Sequence, residues 1–139
     1  MKQYVVLKLI GLAILTMITL VIISILEVTL YSYVVNPGQD VGVYEAHANS
    51  SAPYISGIFG FIIFFLVTRY WKKKEYPNGS KLALLFPLTY VLLDIVVISL
   101  AAPDQWSSYI FIFLLANGAK FLGSYSGYKL TKPRQVVLS

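Results

Sequence analysis

The sequence predicts an all-α integral membrane protein, a four-transmembrane-helix bundle with the N-terminus and C-terminus both cytoplasmic. Three observations predict it. Hydrophobic residues make up 58% of the 139 and charged ones 12%, about half the charged share of an ordinary soluble domain. Four long apolar runs alternate with short polar connections, and ~20 residues per run suit a bilayer-spanning helix. Of the eleven lysines and arginines, all but Lys120 lie at or near the ends of those runs. The mean hydropathy of +0.73 agrees.

The formal charge of +5 is therefore a topology signal and implies no nucleic-acid partner. Cysteine is absent, which excludes disulfides, thiolate metal sites and cysteine nucleophiles. No motif implies a cofactor or a metal. The chain reads as a single membrane domain, 1–139, in a plasma (inner) membrane. The first run begins behind Lys2 and Lys8 and continues to about Val35, too long for a signal peptide, so it is expected as a retained helix over about 4–34. Pro37-Gly38 ends it. Glu27 falls about 19 residues past Lys8, or ~28 Å along a helix, which places it near the outer edge of the hydrocarbon.

Residues 36–51 form the longest polar connection and carry Asp40, Glu45 and His47 but no basic residue, so this loop is expected on the outer side. Glu45 and His47 stand two apart, about 200° around a helix, and make a poor metal pair in helical form. With Glu27 they are the outer-face candidates. A solvated loop with a hydrogen-bonded histidine explains them more simply than a metal or catalytic site.

The second helix is expected over about 53–71, opened by serines and Pro53, where the missing N–H is harmless. Ala52, Ser56 and Gly60 recur every fourth residue as a stripe for close helix packing. The helix ends in TRYWKKK, with aromatic rings at headgroup level followed by a cytoplasmic loop over 72–81. Arg69, Lys72, Lys73 and Lys74 explain themselves as topology signals, and they also offer a site for anionic lipid.

The third helix, about 82–102, contains Pro87 and Asp94. Pro87 removes the backbone bond to the carbonyl of Ala83 and should kink the first turns. Asp94 lies ~18 Å beyond Leu82, close to the midplane, and Tyr90 shares its face one turn away. Pro103-Asp104 ends the helix in a short turn.

The fourth helix, about 106–130, returns to Lys129, Lys132, Pro133 and Arg134. It carries a second small-residue stripe, Ala119, Gly123 and Gly127, beside a polar one of Asn117, Lys120 and Ser124. The stripes make the second and fourth helices the expected closest pair. Folding the hairpin flat sets Asp94 level with about Leu115, with Asn117 ~3 Å and Lys120 ~7.5 Å deeper. An Asp94–Lys120 ion pair, with Asn117 and Tyr90 completing the hydrogen bonds, is the expected arrangement, because a lone charge at midplane is costly. That pair either pins the hairpin or acts as a protonation or ion-binding switch.

Three functions are compatible with these features. The first is an oligomeric transporter or channel subunit, built as a homo-oligomer through the small-residue stripes. The second is a non-catalytic membrane module that binds or stabilises a larger membrane partner through the same stripes. The least favoured is a membrane enzyme acting on a lipid-linked substrate near Glu27, Glu45 and His47. In size and topology the chain is similar to the small multidrug transporters, which rely on an acid near the middle of the first helix, whereas Glu27 lies near its far end. The endings TRYWKKK and SYSGYKL resemble those of the small flippases of polyprenyl-linked sugars. Neither likeness reaches a specific motif, and no family is assigned from the sequence.

Overall fold

The computed structural model describes residues 3–132. Lys2, Pro133 and Arg134, which contribute to the charge pattern, lie outside the described residues. Those described are helical except for short turns, with no strand among them. Helix α1 is Gln3–Leu30, α2 is Val41–Lys73, α3 is Gly79–Ala101 and α4 is Trp106–Lys129.

α1 runs on into a π-helical turn, Tyr31–Val35, closed by the Asn36 N–H donating to the Tyr31 carbonyl at 2.9 Å. Pro37 and Gly38 then reverse the chain, with Gly38 at φ 77°, where a side chain would be strained. Tyr44 pins this corner: its hydroxyl donates to the Asn36 carbonyl at 2.9 Å and accepts from the Gln39 N–H at 3.0 Å.

The connection between α1 and α2 is shorter than the polar run 36–51 suggests. Residues 41–51, expected as loop, form the first turns of α2, and Pro53 lies inside the helix. Proline costs a helix the bond to the carbonyl four residues back, here that of Asn49. Asn49 is exposed, so water can satisfy its carbonyl and the helix passes through. The basic loop also shrinks, because α2 persists to Lys73 and α3 starts at Gly79. Glu75 and Asn78 take left-handed backbone there. A 3-10 turn, Pro103–Gln105, joins α3 to α4, and the Trp106 indole N–H donates to Ser99 Oγ across it at 3.2 Å.

The helices run up and down. α2 and α4 share the most extensive interface, α1 packs on α2 and α3, and α3 packs on α4, so α1 lies across the bundle from α4. The small-residue stripes explain the closeness of α2 and α4, as expected, with a shift of register. A Cβ on Gly123 would collide with the Phe61 carbonyl, and one on Gly127 with the Phe65 carbonyl and the Thr68 hydroxyl. Gly57 faces Ala116 at 3.6 Å from a built Cβ to the Ala116 Cα. Ala116 thus takes the place expected for Ala119, which sits at the rim, half-buried, as does Ala52. Gly60 makes room for the Lys120 stem, whose Cγ and Cε would lie 2.9 Å from an added methyl.

Leu9, Ala13, Leu20, Phe64, Leu82, Phe86 and Tyr90 form the apolar core. Phe64 and Phe86 stack at 4.1 Å between centroids, and Trp71 meets Phe86 edge-on at 5.7 Å. This core belongs to one half of the bundle, the half nearer the basic loop. The buried residues of α1 end at Leu20 and those of α3 at Tyr90. Beyond them α2 and α4 stay packed, while the far halves of α1 and α3 are left largely uncovered.

The stretches Gln3–Val35, Val41–Lys73 and Gly79–Ala101 are each long and apolar enough to cross a membrane, which is the signature of a helical membrane protein. α4 has the length, 24 residues, but falls short in hydropathy because Asn117, Lys120, Ser124 and its glycines dilute the apolar face. Asn117, Lys120, Gly123, Ser124 and Gly127 are buried in the bundle.

Candidate functional site

Lys120 is 0% exposed. Its stem crosses from α4 to α2 over Gly60, and its ammonium has three hydrogen-bond acceptors: Ser56 Oγ at 2.8 Å, the Ala116 carbonyl at 3.3 Å and Asn117 Oδ1 at 3.3 Å. Three donors meet three acceptors. The Tyr90 ring closes the remaining side, 4.7 Å from Nζ to its centroid, a cation–π contact strengthened by the dry surroundings.

Asp94 and Lys120 do not form the direct ion pair expected from the sequence. Asn117 stands between them. Its Nδ2 donates to Asp94 Oδ2 at 3.1 Å and to the Phe113 carbonyl at 3.1 Å, while its Oδ1 accepts from Lys120. Both amide hydrogens are thereby used, and the orientation of the amide is fixed by having acceptors on one side and a cation on the other. The flat hairpin reading missed this because it let the lysine reach along α3, whereas the gap over Gly60 draws the stem to α2. Tyr90 likewise supplies its ring to Lys120 and makes no hydrogen bond to Asp94. Asp94 remains half-buried, at the level where the packing of α3 ends.

Below this network lies a second polar junction. Thr68 Oγ1 lies 2.9 Å from the Ser124 carbonyl and 2.8 Å from the Phe64 carbonyl, and Ser124 Oγ donates to the Ala83 carbonyl. Thr68 and Ser124 are almost fully buried, and together they tie α2, α3 and α4. Thr68 escaped the sequence reading, although the row Ser56, Gly60, Phe64, Thr68 at every fourth position leads to it.

At the far end the structure joins two of the three outer-face candidates. His47 Nε2 lies 2.6 Å from Glu27 Oε1, with the side chains 23% and 35% exposed. The imidazole stacks on the Tyr31 ring at 3.6 Å and 4°, and Ser51 Oγ donates to Glu27 Oε2 at 2.9 Å. The π-helical turn is what sets the Tyr31 ring under the histidine, a signal no spacing rule would have shown. Glu45 is exposed and takes no part. Ser51 is bonded to the carboxylate, not to the imidazole, so the cluster lacks the nucleophile–base contact of a hydrolase. No group of three or more metal-ligating residues occurs among the described residues. Arg69, Lys73 and Lys74 are exposed, while the Lys72 ammonium sits over the Tyr128 ring at 4.9 Å.

Fold and site together define a helical membrane protein with a polar network buried at the middle of its bundle. No family model, curated protein or solved structure matches the chain.

Proposed function

We propose that this protein is the subunit of a small oligomeric transporter or channel, with all four helices crossing the membrane, both termini cytoplasmic, and the Asp94–Asn117–Lys120 network as its ion-coupling site. The observation that carries this reading is the burial of Lys120 among neutral acceptors, one amide away from a half-buried carboxylate. A charge held at mid-bundle is costly to insert. A structural tie between α3 and α4 would be met more cheaply by a hydrogen bond of the Ser124–Ala83 kind, which the bundle already has. Adding or removing a proton at Asp94 changes what Asn117 can donate to it, and through Asn117 Oδ1 the change reaches Lys120 and its hold on Ser56 of α2.

Gly57, Gly60, Gly123 and Gly127 are taken up by the α2–α4 contact inside one chain, which leaves only Ala52 and Ala119 of the stripes at the rim. The far halves of α1 and α3 are free instead, and Asp94 lies at the edge of that surface. A second copy meeting the first there would enclose Asp94 in a pathway between protomers. The proton is the simplest coupling ion, and the test is dissipation of an imposed pH gradient by the purified protein in liposomes, against empty liposomes. A membrane module covering a larger partner with the same free surface is the second reading. Absence of flux together with copurification of a stoichiometric membrane partner would favour it.

A further inference from the structure

At the basic end of the bundle, α1 stands away from the α2–α3 connection and leaves an open groove of about 1380 Å³. Its floor is apolar, built from Leu9, Leu12, Leu15 and Leu82, with Trp71 along one wall. Lys8 and Lys81 also line it, with Tyr4, Tyr76 and Asn78, and the Lys8 ammonium lies over the Tyr4 ring, 4.3 Å from its centroid. The residues lining it include no carboxylate, and neither lysine makes an ion pair among the described residues. Gly11 also lines the groove, and a Cβ added there meets nothing within 4 Å.

We propose that this groove binds one anionic phospholipid, its phosphate between Lys8 and Lys81 and an acyl chain along the leucine floor. Two cations with tyrosine hydroxyls and an amide match a phosphodiester, and the apolar floor matches a chain. The site lies at the end of a membrane-crossing helix, where headgroups sit and aromatic rings anchor. The assignment requires only that the bundle lie in a bilayer and does not depend on transport. The site is separate from the Arg69–Lys74 run, whose cations point to solvent or to Tyr128. A generic attraction of basic residues to an anionic leaflet would be spread over all of them. A built groove concentrates it at two.

The experiment is native mass spectrometry of the full chain titrated with phosphatidylglycerol or phosphatidylcholine in detergent, with circular dichroism of each variant. One phosphatidylglycerol should be retained about tenfold more tightly than phosphatidylcholine, and the K8Q/K81Q variant should lose that preference. The G11L variant, which fills the groove and leaves both lysines, should weaken retention of both lipids. The K72Q/K73Q/K74Q variant should retain phosphatidylglycerol as the native chain does. Equal retention of the two lipids by the native chain would overturn the proposal, as would loss of the preference in the triple variant with K8Q/K81Q unaffected. A chain ending at residue 132 that alone gained lipid binding would show that the C-terminal segment occupies the groove, and would also overturn it.

Discussion

Ser124 on α4 donates its hydroxyl to the carbonyl of Ala83 on α3, the one carbonyl that Pro87 leaves without its helical donor. The proline and the serine are a single device. Proline opens the backbone of α3 inside the core, and a side chain from the neighbouring helix closes it. Among buried side-chain polar atoms of the described residues none lacks a partner, as the hydrocarbon region of a bilayer demands of a helical bundle.

The device predicts a double-mutant cycle. Ser124→Ala leaves the Ala83 carbonyl buried and unpaired, and should destabilise the bundle by about 1–3 kcal/mol. Pro87→Ala restores the backbone donor, so the loss from Ser124→Ala should shrink by about 1 kcal/mol when Pro87→Ala is already present. Reversible unfolding in mixed micelles measures both. Additive losses would show that Ser124 acts on something other than that carbonyl.

A second prediction concerns the α2–α4 contact. Gly123→Ala and Gly127→Ala place a methyl into the Phe61 and Phe65 carbonyls. Backbone cannot move aside as a flexible side chain can, so each should cost about 1–3 kcal/mol. Gly118→Ala, whose methyl meets nothing within 4 Å, should be neutral or slightly stabilising in the same unfolding assay. If all three behave alike, the close approach of the two helices is not what holds them.

The Glu27–His47–Ser51 cluster predicts a local effect. His47→Ala removes a part-exposed contact with the Glu27 carboxylate and the stacking on Tyr31, interactions whose sum at such exposure is about 1 kcal/mol. Hydrogen exchange should quicken in residues 41–52 and stay unchanged around Thr68 and Ser124. Uniform quickening along the chain would mean that the corner between α1 and α2 is part of the global core.

Much of this architecture is legible in the sequence, and the misses have physical causes. Four helices, the α2–α4 stripes and the carbonyl of Ala83 that Pro87 leaves without a helical donor follow from apolar runs, small residues at every fourth position and a missing N–H, while the expected kink gives way to a single continuous α3. Polarity alone suggests a loop before Pro53, yet Val41–Ser51 forms helix, because Tyr44 pins the preceding corner and Asn49, whose carbonyl Pro53 orphans, is exposed. The central cluster was legible in its members, Asp94, Asn117, Lys120 and Tyr90, but not in its wiring. Rise per residue gives depth along a helix and says little about the direction a long side chain takes. Gly60, assigned to helix contact, turned out to set that direction. Tyr31 had no sequence signal, since its stacking on His47 comes from the π-helical turn, and Ser51 had none because its partner Glu27 lies on another helix.

Asp94 is the test of the central claim. The decisive measurement is proton flux into liposomes containing the native chain, Asp94→Asn, Lys120→Met and the double variant, each first shown to be folded by circular dichroism. Removing both charges should leave the bundle as stable as before or more so, since buried charges seldom add net stability. The native chain should dissipate the gradient, and all three variants should fall to the level of empty liposomes. A double variant that carries protons as fast as the native chain would contradict the account and leave the network a purely structural one.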